Sequence, residues 1–241
     1  MDNSFFCREK LKNMANDFGV VLDETALDRF RVYAQKLVEW NEKINLTAIT
    51  DPEGITVKHF ADSLAVFRYA DIPQNARGID VGTGAGFPGV AMLIARPDLK
   101  LTLLDSTKKK LSVIDDILSA LGLHAETLHA RAEEAARKTE YREQFDFATA
   151  RAVANLRELS EYCLPFVKTG GCFLSMKSAK TDEEIDAAKK AIAILGGKIE
   201  AVNAFGLADA GERTVILIKK ISQTSPKYPR PSAKIAKFPL V

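Results

Sequence analysis

Residues 77–90, Arg-Gly-Ile-Asp-Val-Gly-Thr-Gly-Ala-Gly-Phe-Pro-Gly-Val, limit what this chain can fold into more than any other stretch. Ile79 and Val81 close an apolar run that reads as a short buried strand, and Gly82, Gly84, Gly86 and Gly89 follow it. Glycine accepts positive φ and lets a ligand approach the backbone closely. Pro88 suits the first turn of a helix, where its missing N–H costs nothing. Val90, Ala91, Leu93, Ile94 and Ala95 continue that helix. Strand, glycine loop and helix together make a nucleotide-type site with a helix N-terminus at its floor.

Gly84, Gly86 and Gly89 fit the dinucleotide pattern G-x-G-x-x-G, with Asp105 about twenty residues further on. Asp80, inside the strand end, suits a cationic ligand better than a pyrophosphate. The P-loop pattern is absent. From Arg77 onward strands and helices alternate, which predicts an α/β fold, a mostly parallel seven-stranded sheet with helices on both faces. Strands are expected at 77–81, 100–105, about 125–129, from Phe145 to Arg151, and at 172–176, with an antiparallel pair near 198–205 and 213–219. The helices between them are expected at 88–96, from Lys108 to Leu121, after Arg131, at 156–164, and from a Thr181–Glu184 capping box to Leu195. Ligands in such sheets bind beyond the carboxyl ends of the strands. That rule collects Asp80, Gly82, Asp105, residues 131–133, Arg151 and Lys177 around one crevice.

Ahead of the sheet, helices are expected at 4–18, from an Asp23 N-cap onward with Leu27, Phe30, Ala34, Leu37, Val38 and Ile44 at helical spacing, and from Asp51-Pro52 to Tyr69. The last carries His59 and Asp62 three apart on one face, a pair that by itself reads as an ordinary surface or capping contact. The chain thus divides into a helical extension at 1–72, a core at 73–221 and a tail at 222–241. Six of the 34 basic residues lie between Lys219 and Val241 with no acidic residue among them, leaving 28 basic against 32 acidic in the rest. A basic tail on a mildly acidic body suggests contact with a polyanion, or a solvated, partly disordered segment. Cys7, Cys163 and Cys172 lack C-x-x-C spacing and look like free thiols of a reducing compartment. His59, His124 and His129 do not cluster with them, so no metal site is expected. No signal-peptide core and no spanning apolar run is visible, so a cytoplasmic protein without membrane contact is expected. No heptad or exposed strand pattern suggests anything beyond a monomer.

Asp80-Val-Gly-Thr-Gly-Ala-Gly86 resembles the first motif of class I, Rossmann-like, S-adenosylmethionine-dependent methyltransferases, with Asp105 at the ribose hydroxyls. Over nearly its whole length the chain is similar to the bacterial 16S ribosomal RNA 7-methylguanosine methyltransferases, also called glucose-inhibited division protein B. The residues that carry this are Trp40-Asn41 with Asn45-Leu46-Thr47, His59-x-x-Asp62-Ser63, Asp80 to Gly89, Leu103-Leu104-Asp105-Ser106, Arg131-x-Glu133-Glu134, Ala150-Arg151-Ala152, Gly211-Glu212-Arg213, Tyr228-Pro-Arg-Pro and Lys237-Phe-Pro-Leu. Ser178 departs from the pattern, since the family more often has glycine after the lysine. The resemblance implies S-adenosylmethionine as cofactor, with contacts at Gly82, Phe87, Ala132, Glu133 and Arg151. Asp105 and Ser106 join these by position, and Asp80 and Gly84 through the glycine motif. It also implies the small ribosomal subunit as partner.

Guanine N7 presents a lone pair and no proton, so methyl transfer to it needs positioning rather than a general base. The absence of a catalytic dyad agrees, as does Ala150-Arg151-Ala152-Val153 where methylases of exocyclic nitrogens carry Asp/Asn-Pro-Pro-aromatic. Arg151 and Lys177 are candidates to fix the RNA or guanine O6. Asn45, His59 and Asp62 are expected at the rim, and Arg230 and Lys234 on RNA. The rival readings are a nicotinamide-dependent oxidoreductase, a methyltransferase of another substrate, and a cofactor-binding assembly factor without catalysis.

Overall fold

The computed structural model describes residues 5–178 and 182–241. Seven strands form one sheet in the order β3-β2-β1-β4-β5-β7-β6. They are β1 (Arg77–Val81), β2 (Lys100–Asp105), β3 (Glu126–His129), β4 (Phe145–Arg151), β5 (Val167–Ser178), β6 (Gly197–Gly206) and β7 (Glu212–Lys220). β1 to β5 pair in parallel, and β7 inserts antiparallel between β5 and β6. The strand order reverses at β1, between β2 and β4, and a parallel sheet opens a crevice at such a point. β5 starts earlier than its apolar run suggests, because a register shift between Phe145 and Phe147 lets Val167 pair with Phe145 before Cys172 meets Phe147.

The helices are α1 (Arg8–Asp17), α2 (Glu24–Asn41), α3 (52–69), α4 (Gly89–Ala95), α5 (Lys108–Leu121), α6 (Ala132–Ala135), α7 (Leu156–Cys163), α8 (Asp182–Ile194) and α9 (Ser232–Lys237). Asp23 caps α2 by accepting from Ala26 N at 2.7 Å, as its sequence position suggests. Pro88 stands one place earlier than expected, at the N-cap of α4. Thr181 of the expected capping box lies outside the described residues, and Glu184 makes other bonds, described below.

Two apolar clusters sandwich the sheet. On one face Leu27, Phe30, Tyr33 and Leu37 of α2 join Val90, Leu103 and Ile114 in a shared core. Trp40 Nε1 and Lys36 Nζ both donate to Asp116 Oδ2 of α5, at 2.8 and 3.0 Å. The N-terminal helices therefore complete the core instead of lying on its surface. On the other face Ile79, Val81 and Leu104 meet Leu156, Leu159 and Ile185 of α7 and α8.

The C-terminal segment is not a solvated tail. Arg142 donates to the carbonyls of Thr224, Ser225 and Tyr228, and Thr224 Oγ1 donates to Leu195 O. Ile235 is fully buried. Arg230 grips Glu161 of α7 with its backbone N–H, Nε and Nη2. Positive charge alone could not show this, because the buried carboxylate that receives Arg230 lies 69 residues away.

Candidate active site

Two cavities open at the carboxyl ends of the parallel strands, and Ala152 lines both. The first, about 430 Å³, runs from Gly82 past Asp105 and Ser106 to Ala132, Glu133 and Tyr162. Gly82 takes φ +74°, which a side chain would strain. The sharp turn after β1 is pinned because Gly82 N and Thr83 N both donate to Leu104 O. Asp105 Oδ2 accepts from Gly84 N at 3.0 Å and Oδ1 from Thr107 N at 2.8 Å. Each oxygen keeps a further lone pair for a ligand.

Asp80 is not in that lining. Its side chain is 1% exposed, and Oδ2 accepts from Gly89 N at 3.0 Å while Oδ1 accepts from Thr149 Oγ1 at 3.2 Å. A Cβ on Gly89 would stand 2.9 Å from Asp80 Oδ2, so the bare glycine admits the carboxylate to the start of α4. Burial pushes Asp80 up to about 6, against the pull of its hydrogen bonds. Asp80 therefore acts on a ligand through the loop it holds and through its field, not by contact.

The second cavity, about 480 Å³, is lined by Lys58, His59, Asp62, Arg151, Lys177, Glu184 and Arg213, among others. Its geometry comes from α3, whose middle turn, Ile55–Ala61, winds as a π-helix. Such turns depart from the i→i+4 hydrogen-bond ladder. Here the Lys58 and His59 carbonyls receive Arg151 Nη1 at 3.0 and 3.5 Å, and His59 O also accepts from Ser63 Oγ at 2.6 Å. Arg151 Nη1 also donates to Asp62 Oδ2 at 2.9 Å, and Arg213 Nε lies 3.4 Å from Asp62 Oδ1. The His59–Asp62 pair is thus no surface contact, since both side chains are buried and Arg151 joins them.

Phe87 lines neither cavity but packs behind two residues of the second, His59 and Arg151. Its ring stacks on His59 at 4.5 Å and on Tyr33 at 5.1 Å, and the Arg151 guanidinium lies 5.0 Å from its centre. Tyr33 Oη donates to Ala85 O at 2.7 Å, tying the glycine loop to the same stack. Burial and the facing Arg151 lower His59 to about 4, so its ring is neutral near pH 7. Its Nδ1 faces Arg151 and its Nε2 lies 2.8 Å from Thr47 Oγ1. Burial raises Asp62, opposed by Arg151 and Arg213.

The charge balance of the two cavities differs. Asp105, Glu133 and Glu158 outnumber Lys110 and Arg131 in the first. Lys58, Arg151, Lys177 and Arg213 outnumber Asp62 and Glu184 in the second. Cys163 is buried in α7 and Cys172 half-buried in β5, and burial pushes Cys172 up to about 11. Neither thiol is placed as a nucleophile. Among the described residues no group of three or more His, Cys, Asp or Glu could hold a metal ion.

The family model GidB, rRNA small subunit methyltransferase G, matches residues 26–215. The chain belongs to this family. A ribosomal RNA small subunit methyltransferase G from Acetivibrio thermocellus is 49% identical over 235 residues, covering 97% of this chain and 96% of that protein. One from Clostridium novyi is 45% identical over 229 residues, covering 94% of each. The fold is similar to that of a putative methyltransferase from Bacillus halodurans, with TM-score 0.53, 16% identity, and cover of 67% of this chain and 100% of that one. A 16S rRNA (adenine(1408)-N(1))-methyltransferase from Catenulisporales acidiphilia gives TM-score 0.54 at 12% identity, covering 62% and 87%. The fold is that of the class I methyltransferases, and membership of the family makes the chain an S-adenosylmethionine-dependent enzyme.

Of the family's expected cofactor residues, Gly82, Asp105, Ser106, Ala132 and Glu133 come together in the first cavity. Gly84 reaches it through its hydrogen bond to Asp105. Arg151 lines the second cavity instead, and Phe87 lines neither. His59, Asp62, Arg151 and Lys177 converge in the second cavity. Asn45 is exposed and outside both, and the preceding Asn41 does the structural work by accepting from Leu46 N and Thr47 N. Arg230 is spent on Glu161, while Lys234 is exposed on α9. Glu158, Tyr162 and Lys58 were missed by sequence reasoning, Ala152 and Arg213 had entered only as parts of motifs, and Glu184 only as half of a capping box.

The first cavity suits S-adenosylmethionine on the chemistry of its donors. Its size lies in the usual range for small-molecule sites. Asp105 keeps free lone pairs, and Glu133, only 7% exposed, has no hydrogen-bond partner among the described residues. An acidic lining matches a sulfonium.

Proposed function

We propose that this chain transfers the methyl group of S-adenosylmethionine to N7 of a guanine in 16S ribosomal RNA. One observation carries the reading: an acidic cavity and a cationic cavity meet at a single residue, Ala152. The bound cofactor supplies an electrophilic methyl carbon on a sulfonium. Asp105 and Ser106 would hold its ribose, and Ala132 and Glu133 its remaining polar edge. On the acceptor side, Lys58, Arg151 and Arg213 favour a polyanion, and the His59–Phe87 stack backs Arg151.

No residue needs to remove a proton, because guanine N7 carries none. The neutral His59 and the doubly paired Asp62 agree with that. Positioning then carries the rate, and well-oriented reactants can gain roughly 7–11 kcal/mol. The major groove of paired RNA is too deep and narrow for side chains to read, so the acceptor guanine enters unpaired. Lys234 and the other exposed lysines of the C-terminal segment supply sequence-independent attraction. This reading puts the protein in the bacterial cytoplasm, acting as a monomer on the small subunit.

The test is transfer of radiolabelled methyl to small subunits from cells that lack this protein, followed by nucleoside analysis. Label in 7-methylguanosine is expected. Label in another nucleoside overturns the acceptor, and bound cofactor with no transfer to subunits or free RNA favours the binding-factor reading.

A further inference from the structure

The wall between the two cavities is the segment Ala152–Ala154. All three residues line the first cavity, and Ala152 also lines the second. Ala152 sits at φ +55°, a left-handed conformation that non-glycine residues adopt only when their surroundings impose it. Val153 lies against the glycine loop, where a Cβ on Gly82 would come within 2.8 Å of its Cγ2. A wall in such a conformation must be held at both ends.

The upstream end is held by Arg151, already placed in the site. The downstream end is held from α8. Glu184 Oε1 accepts from Leu156 N at 2.5 Å and from Lys177 Nζ at 2.7 Å. Lys177 Nζ in turn donates to Ala154 O at 2.6 Å. One carboxylate oxygen thus fixes the last residue of the wall, through Lys177, and the first N–H of α7. That helix carries Glu158 and Tyr162 into the first cavity. The Lys177 and Glu184 side chains are 12% and 20% exposed, so the pair is largely shielded from water and from the screening that weakens surface pairs.

We propose that Glu184 is a positioning residue for methyl transfer, which it serves by holding Lys177 against the Ala154 carbonyl and so setting the wall across which donor and acceptor face each other. The proposal rests on the methyltransferase reading above. It also reassigns Lys177, whose ammonium is committed to the wall instead of to RNA. Without Glu184, Lys177 keeps only the Ala154 carbonyl and is free to swing to solvent. A misplacement of about 1 Å far from the chemistry can cost on the order of 10²-fold in rate.

The readout is the single-turnover rate of methyl transfer at saturating RNA, with the dissociation constant of S-adenosylmethionine measured separately by calorimetry. Glu184→Ala is expected to slow transfer by about 10- to 100-fold while cofactor affinity falls by a clearly smaller factor, since Gly82, Asp105 and Glu133 are untouched although Ala154, Glu158 and Tyr162 line the same cavity. Glu184→Gln keeps the accepting oxygen at the same reach and is expected to stay within about threefold of wild type. Glu184→Asp keeps the charge, withdraws the oxygen by one methylene, and is expected to be slow in a folded protein, so the test survives if the alanine variant does not fold. Lys177→Met is expected to be slow too, and combining it with Glu184→Ala should add nothing further. Wild-type rate in Glu184→Asp or Glu184→Ala, or additive losses with Lys177→Met, overturns the proposal. Absence of transfer by the wild-type protein overturns the parent reading instead.

Discussion

Replacing Arg230 with alanine tests what the C-terminal segment is for. Glu161 is fully buried, and its two oxygens receive Arg230 Nε at 2.9 and 3.2 Å and Nη2 at 2.7 Å. The variant removes these bonds and leaves a buried carboxylate with the Arg230 backbone N–H alone, at 2.8 Å. Breaking one side of a buried ion pair typically costs about 3–5 kcal/mol. The surviving N–H puts the expectation at the lower end, about 3 kcal/mol. For a chain of this length each kcal/mol moves the melting midpoint by about 2–4 °C, so a fall of roughly 6–12 °C is expected. Urea and thermal unfolding of the full chain measure it. Adding Glu161→Gln should recover most of the loss, because an uncharged partner no longer demands a cation. A destabilisation below about 1 kcal/mol would refute the reasoning, since it would mean that the Glu161 charge reaches water and the segment is not anchored there. The slope of RNA affinity against salt should change little, because the Arg230 charge is turned toward the Glu161 carboxylate and balanced by it.

Two other perturbations follow from the site. Asp80 is held above its unfolded value, at about 6. The folded protein therefore binds more protons than the unfolded chain between pH 4 and 6, and Asp80's contribution to stability is lost as pH rises through that window. His59, lowered to about 4, acts in the opposite sense, its contribution lost as pH falls from about 6.5 to 4. The two largely cancel in the wild type, so Asp80→Asn, which keeps only the His59 effect, should gain about 3 kcal/mol of stability relative to wild type from pH 4 to 7. A pH-independent difference, measured by denaturant unfolding, would show that Asp80 is not desolvated. At the wall, Ala152→Gly should relieve the left-handed strain and leave stability unchanged or raise it by up to about 1 kcal/mol, while methyl transfer slows as the wall loosens. A clear loss of stability would show that Ala152 is not strained.

The legible parts of this chain were those written in local order. The Asp23 cap, the period of α2 and the alternation after Arg77 each depend on residues within a turn or a strand of one another, and all are present, except that α2 ends at Asn41 and leaves Ile44 in the turn beyond it. The glycine loop was legible because its sharp turn needs glycine, and Asp105 because an acidic strand end beside that loop faces the same crevice. What stayed hidden was set by distant partners. Arg230 reads as a free cation until Glu161 is brought to it. Asn45 and Asn41 are equivalent as letters, and only the turn after α2 decides that Asn41 takes the backbone. Glu184 looked like half of a capping box, whereas the fold sends its carboxylate to Leu156 and Lys177. Asp80 was sensed as a charge near the cofactor, but the direction of its side chain follows from the pairing of β1 with β4.

The π-wound turn at Ile55–Ala61 makes the acceptor side depend on the count of residues as well as on their identity. An α-helix advances about 100° per residue. Deleting one residue inside the turn would let α3 relax to an ordinary helix of nearly the same apolar content. Everything after the deletion would stay near its present phase, because the wider π turn already absorbs that extra step, but the Lys58 and His59 carbonyls would return to the helix's own ladder and leave Arg151. A chain one residue shorter there could keep His59 and Asp62 and still lack the carbonyls that seat the arginine, so the length of α3 is as much a part of this site as either side chain.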